Sequence, residues 1–515
     1  MNRYRDLFAH TATAAAVLML ATAVPAGAQA QVNSKWITIV TSAEPPNLDG
    51  CMSTNTFQSL VIKHNVVETL IEKNATDGVL RPRLATSWER VDDSNWRFKL
   101  RQGVTFHDGT PFNAQTLKRS LDRTMSRDIV CGDRTKFFND LLIEVTPVNE
   151  YEINIKTARP ESILAMRLAT TAIVGPNTPM DKLTAAGVGV VGTGPYVFDS
   201  WQTGQQIALK RNEKYWGAKP PVEGVRYLVR SESSVRAAMV EVGEADMAHA
   251  IAEQDANKPT DFSYLNSETT FLRIDTMQPP LNDVRVRMAL NYAVDKKGLI
   301  GTVMPKAAMV ATQIVIPAIP GHNHNIDKNP RPYDVAKAKQ LMAEAKAAGV
   351  ATDTEITLIN YPTNFPNAGE LMESILTMYK TAGFNVKMIS VEPGQYAKWN
   401  IKPFPEGRPP TLLLTAHDNN NGDPIFSMTS RFFCEGRSST ICVPELEKEI
   451  NRAIGLDGAA RIAGWEGIFK TVHEEIVPDV MLHHMVAFTR VHPRIVYVPD
   501  IATNAEIRVE DIRFK

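Results

Sequence analysis

Eight polar and turn-forming residues, His417-Asp418-Asn419-Asn420-Asn421-Gly422-Asp423-Pro424, follow directly on the apolar run 411–416 (TLLLTA). That run does not alternate with polar residues, so it reads as a strand buried on both faces. Ligands of open α/β sheets sit beyond the carboxyl ends of such strands. Asp418, Asn419 and Asn420 are therefore the leading site candidates, a carboxylate for a cationic group flanked by amides, with His417 beside them. Asp423 reads as a turn residue, and a solvated Asx-rich turn is the alternative for the whole loop. Arg408, in Gly407-Arg408-Pro409-Pro410, offers a fork for a carboxylate or phosphate, with a plain surface arginine equally open. Tyr361, Tyr396 and Trp399, with Phe365 and Phe404, are loop aromatics available to wall a cleft, although most aromatics in such chains are core.

Covalent and metal chemistry find no complete pattern. A G-x-S-x-G nucleophile elbow is absent. His473-Glu474 begins H-E-x-x-H, but position 477 is Val. Among the eleven histidines, His322-x-His324 and His483-His484 are paired without a third ligand at metal spacing. Gly187-x-Gly189-x-x-Gly192 has dinucleotide-loop spacing, yet Pro195 opposes the helix that such a loop must open. The expectation is a binding protein with no catalytic residue, no metal and no cofactor. A secreted hydrolase with dispersed partners is the rival from another class.

The elements that must position these residues follow from periodicity. Residues 355–391 read strand, helix, strand, a βαβ unit that implies parallel pairing. Residues 36–40 read as a first strand, and helical spacing runs from Phe57 to Leu70. Trp96, Phe98 and Leu100 alternate with Arg97, Lys99 and Arg101, as in a half-buried strand. Val104 and Phe106 begin a second short strand, and Asn113 caps a helix carrying Leu117 and Leu121. Asp283 caps another, with Val284, Met288 and Tyr292 on one face.

Several of these stretches also carry motifs. They are Leu84-Ala85-x-Ser87-Trp88, then Leu100-Arg101-x-Gly103-Val104-x-Phe106-His107-Asp108-Gly109-Thr110-Pro111, and later Gly192-Thr193-Gly194-Pro195-Tyr196. Arg211-Asn212-x-x-Tyr215-Trp216, the run from Asp283 to Asp295, and Tyr333-Asp334-x-x-Lys337-Ala338 complete the set. In this order they resemble the family 5 periplasmic solute-binding proteins, of the dipeptide, oligopeptide and nickel-chelate type, which feed ABC importers.

The resemblance implies an α/β, two-lobed periplasmic binding protein (type II-like, cluster C) with an extra subdomain in the first lobe and a two-crossing hinge. It divides the chain into a first lobe at 31–75, 191–272 and 487–515, an inserted subdomain at 76–190, and a second lobe at 273–486. In dipeptide-type members an Asp just before Asn-Gly-Asp-Pro pairs with the ligand's α-amine. That role falls on Asp418, here separated from the run by Asn419 and Asn420. Nickel-chelate members place a single His on the ligand, which points to His417. Cys51 and Met52 are expected to reach the cleft from the first lobe. The implied ligand is a peptide or peptide-like compound, with opines, sugar conjugates and metal chelates as alternatives on the same fold. The implied partners are that solute and the permease subunits of an ABC importer.

Composition agrees. The chain has 515 residues, 43% hydrophobic and 22% charged, with a formal charge of −1. That length implies several domains, and that charge argues against nucleic acid as a partner. Arg3 and Arg5, an apolar run from Ala12 to Ala23, and Ala28-Gln29-Ala30 read as a signal peptide over 1–30, cleaved after Ala30 or Ala28. The mature protein is then expected in the periplasm as a monomer with no direct membrane anchor. In that oxidising compartment the four cysteines are expected as disulfides. Cys434 and Cys442 flank a turn-like segment and pair first; Cys51 with Cys131 follows by elimination, with three connectivities possible.

Overall fold

The computed structural model describes residues 35–53, 55–74, 79–138, 141–362, 364–419 and 422–515. The signal region and Asn420 lie outside the described residues. From Trp36 to Lys515 the chain forms one compact unit. Its main sheet runs in the order Tyr196–Gln202, Gln206–Arg211, Gly224–Val229, Trp36–Thr41, Met247–Ile251, Asp479–Val491, Asp261–Ile274, Thr411–Asp418, Ile356–Asn360, Val386–Ser390. Two long strands, Asp261–Ile274 and Asp479–Val491, pair antiparallel at its centre and run through both halves.

Each half has its own core. On one side Ile37, Ile39, Leu209, Val225 and Met247 pack with Ile507, Val509 and Ile512. Next to it the sheet of Ala85–Arg90, Asn95–Leu100, Glu152–Thr157 and Ile143–Asn149 buries Trp96, Phe98 and Ile153 against Leu117 and Leu121. We call these two bodies together the first lobe. The second lobe buries Leu290, Leu358, Ile375, Leu412 and Leu414 in one core and Ile314, Met428 and Trp465 in another. Alternation along Thr411–Asp418 sends Leu412 and Leu414 to one face and Leu413 to the other. Burying a side chain of this size contributes about 1.5–3 kcal/mol, so the strand is firmly held on both faces.

Local expectations hold where the signal was strong. Asn113 caps Ala114–Met125 reciprocally with Thr116, and Asp283 caps Val284–Tyr292. Ile356–Asn360 and Val386–Ser390 are parallel around the helix Ala368–Thr381. The Gly187–Gly192 stretch is a loop; a Cβ on Gly192 would lie 2.1 Å from the Val66 carbonyl oxygen, so backbone proximity explains that glycine.

Two expectations fail. The helix at Phe57 spans only Thr56–Ile62, because His64 takes a left-handed turn at φ 58°. That turn brings Asn65 to donate to the Ile507 carbonyl (2.9 Å) and accept from Val509 N–H (3.0 Å). Tertiary hydrogen bonding overrides local helical spacing. Val104 and Phe106 are buried but make no strand; a single bridge, Thr105 to Pro111, closes their turn.

Candidate functional site

Asp418 is the last residue of its strand and projects from the second lobe toward the first. Lys136 comes from the opposite side, in the turn Arg134–Phe138. Two tethers hold the segment before it: the Cys51–Cys131 disulfide and a 2.7 Å hydrogen bond from Ser53 Oγ to Asp133. Lys136 Nζ lies 3.0 Å from both Asp418 oxygens, a salt bridge from lobe to lobe. Glu268 stands opposite Asp418 across the ladder, and burial together with the Asp418 charge pushes its carboxyl up to about 7.

Around this bridge a cavity of about 420 Å³ opens, walled by Asn55, Thr135 and Lys136 on one side and by Asp418, Ser430, Arg431 and Arg437 on the other. Arg431 is buried on the helix Ile425–Phe432, its guanidinium 5.0 Å from the Phe271 ring centre. Its Nε donates to His417 Nδ1 (3.2 Å). That donation leaves the ring proton on Nε2, which donates to Ser427 Oγ (2.7 Å). Ser427 donates onward to Asn419 Oδ1 (3.0 Å), and Asn419 Nδ2 reaches the Ile314 carbonyl (3.1 Å). Burial, then the Arg431 charge, keeps His417 neutral, well below the usual imidazole range. Arg431 Nη1 is buried without a hydrogen-bond partner among the described residues. The Asp479 and Asp418 charges already act on this cation, and its idle donor leaves a place for one more acceptor.

A second cavity of about 110 Å³ adjoins the first, with Phe137 and Asn419 in its wall next to Lys136 and Asp418. Lys63, Lys73 and Arg508 supply positive charge there, Glu506 negative charge, and Ala318–Pro320 the facing wall. Glu506 lies 2.7 Å from Arg508 Nε and 3.4 Å from Lys63 Nζ. Burial pushes Lys73 down to about 8.

The structure thus gathers Asp418, Asn419 and His417 at the cleft. His417 has both ring nitrogens engaged, so it holds the loop in place instead of offering a ligand atom or a base. Cys51 is spent in its disulfide, and the segment it shares with Met52 reaches the cavities through Ser53 and Asn55. Cys434 pairs with Cys442 as expected. Arg408 stands at the opposite end of the strand, bound to Asp275 at 2.5 and 3.2 Å, and does not join Asp418. Tyr361, Tyr396 and Trp399 pack together against Ile359, Val391 and Leu413; from this segment Asn400 and Ile401 line the cavity. Lys136, Arg431, Lys63, Lys73 and Arg508 were not anticipated. No motif marks them, though Arg431 sits seven residues past the Asn-Gly-Asp-Pro run, on the helix it opens.

Charges and donors converging from two lobes suit reversible binding, and the His417–Ser427 pair, with His417 Nδ1 already taken by Arg431, is part of the scaffold. Residues 79–438 match the model of the bacterial extracellular solute-binding proteins, family 5 (middle). The dipeptide-binding protein of Escherichia coli (strain K12) is 27% identical, over 90% of this chain and 92% of its own. Heme-binding protein A of Haemophilus influenzae is 28% identical, over 84% and 83%. The structure of the ABC transporter-associated periplasmic binding protein DppA from Helicobacter pylori, in complex with the peptide STSA, superposes with a TM-score of 0.75. That match has 21% identity and covers 93% of this chain and 98% of that one. These relatives are binding proteins, and this chain belongs to the family 5 extracellular solute-binding proteins, which deliver solutes to ABC importers.

Proposed function

We propose that the chain captures a zwitterionic, peptide-like solute between its lobes in the periplasm and, as a monomer, presents it to the importer. The observation that carries this reading is the pairing, on one cavity wall, of Asp418 with the idle Nη1 of buried Arg431. A ligand ammonium takes the place that Lys136 Nζ holds at Asp418, and the ligand carboxylate takes Arg431. A cavity of about 420 Å³ falls in the range for small organic ligands. Ligand contacts from both lobes favour the closed arrangement, and closure is what a permease can read. Export is supported by the sequence signal at 1–30, and no helix of the described residues is long and apolar enough to cross a membrane.

A thermal-shift screen of the mature protein from Gln31, refolded to strip carried ligand, tests this. Di- and tripeptides, opines, oligosaccharides, haem and nickel–histidine make up the panel. A ligand at 100 times its Kd adds about 2.7 kcal/mol of stability. The expected result is a shift with peptides that Asp418→Ala and Arg431→Ala each abolish. A shift with haem or sugars alone, indifferent to both substitutions, overturns the peptide reading.

A further inference from the structure

Away from the interlobe cavities, the fold completes a cluster that the sequence left as two histidines. His322 and His324 stand at the start of the short helix His324–Asp327, and Asp327 turns back onto both. His322 Nε2 is 2.7 Å from Asp327 Oδ2, His324 Nδ1 is 3.8 Å from the same oxygen, and the three ligand atoms lie within 4.8 Å of one another. The two imidazole rings are 4.8 Å apart, centre to centre.

Two further contacts orient the set. His322 is fully buried, and its Nδ1 lies 2.9 Å from the Val315 carbonyl. A carbonyl only accepts, so Nδ1 donates to Val315, and a metal ion at Nε2 would take the place of the hydrogen bond that Nε2 shares with Asp327 Oδ2. An outer hydrogen bond of this kind fixes the tautomer of metal-bound histidines. Asp327 Oδ1 accepts from Thr312 Oγ1 at 2.5 Å, which leaves Oδ2 for the shared position. Gln313 Nε2 also approaches His322 Nε2, at 3.2 Å, while donating to the Asn323 carbonyl. The His322 side chain is 0% exposed, Asp327 33% and His324 65%, so an ion has an entry path from solvent.

We infer that His322, His324 and Asp327 form a binding site for a late first-row divalent transition-metal ion, such as Zn²⁺, with the remaining coordination positions filled by water. Two imidazole nitrogens and one carboxylate suit Zn²⁺, Ni²⁺, Co²⁺ or Cu²⁺ and disfavour the all-oxygen ions Mg²⁺ and Ca²⁺. Tetrahedral ligands at about 2.0–2.1 Å stand about 3.4 Å from one another, which Nε2 and Oδ2 reach by separating about 0.6–0.7 Å and the exposed His324 by turning inward. All four cysteines are in disulfides, so no thiolate competes. The backbone ties the site to the wall of the smaller cavity: His322 N–H donates to the Ile319 carbonyl (3.0 Å), and Ala318–Pro320 line that cavity. The inference stands independently of which solute the cleft takes.

Calorimetric titration of chelator-stripped mature protein with Zn²⁺, with Co²⁺ visible absorption as a second readout, tests it. The wild type is expected to take up one equivalent, with the intense d–d bands of four-coordinate Co²⁺. His324→Ala, whose exposed side chain is dispensable for folding, and Asp327→Asn should each weaken binding at least about tenfold and remove those bands. Absence of one-equivalent uptake, or wild-type titrations in His324→Ala and Asp327→Asn, overturns the site and leaves His322–Asp327 as an ordinary ion pair.

Discussion

The strand Thr411–Asp418 has an ion pair and a disulfide near each end, built from the same residue types and put to different use. Just before it begins, Arg408 grips Asp275 within the second lobe; the Asp275 side chain is 2% exposed, and the guanidinium lies 4.9 Å from the Phe404 ring centre. Nearby, Cys434–Cys442 closes a short loop in the same lobe. Where the strand ends, Asp418 meets Lys136 of the other lobe, the two 31% and 14% exposed. There Cys51–Cys131 anchors the partner segment across a separation of 80 residues. A pair inside one packed body holds that body together. A part-exposed pair between two separately cored bodies contributes little net stability, and under the proposed function it is the contact a ligand replaces.

Removing the cleft-side disulfide tests the contrast most severely. Replacing Cys51 and Cys131 with Ala should cost about 4.5 kcal/mol in urea denaturation by the chain-entropy relation, against about 2.5 kcal/mol for Cys434 and Cys442, with separations of 80 and 8 residues. Both changes should also weaken ligand binding, the first more strongly, because it frees the segment that carries Lys136 while the second loosens the loop that carries Arg437. Arg408→Ala comes next. It leaves the Asp275 charge buried and should destabilise by about 3 kcal/mol, with solute affinity unchanged in calorimetry. Asp418→Asn should do the reverse, costing less than about 1 kcal/mol of stability. Its loss of a charge-assisted bond worth about 1.5–3 kcal/mol predicts solute binding weaker by about ten- to a hundredfold.

The smallest effect is in pH dependence. Burial and the Asp418 charge hold Glu268 at about 7, above its unfolded value of about 4.3. Between those values the folded protein binds the extra proton, so this group's contribution to stability falls as pH rises toward 7 and is level above it. In Asp418→Asn the like charge is gone, and the decline measured between pH 5 and 7 should be shallower than in wild type. An identical slope would mean that the two carboxylates do not feel each other.

Strand, caps and turn chemistry at both ends of this contrast were legible in the sequence, because they depend on neighbours within a few residues. TLLLTA declared a strand buried on both faces, Asn113 and Asp283 declared caps, and the polar run after Ala416 declared the cleft end of the sheet. What each charge binds was not legible. Arg408 looked free among prolines because Asp275 is 133 residues away, and Lys136 comes to Asp418 across 282. Arg431 carries no signal in the sequence, because its burial comes from packing. The helix expected from Phe57 to Leu70 fails for the same reason: Asn65 answers to Ile507 and Val509, not to its own spacing.

That stitch through Asn65 has a consequence for biogenesis. Residues 501–508 wall the smaller cavity together with residues 53–73, and Ile507, Val509 and Ile512 complete the core around Ile37. Domains usually fold in order as the ribosome releases them. Here the first lobe emerges first and closes last, since its final buried side chains are more than 400 residues behind Asn65. A nascent chain therefore exposes an unfinished first lobe until its last residues are made.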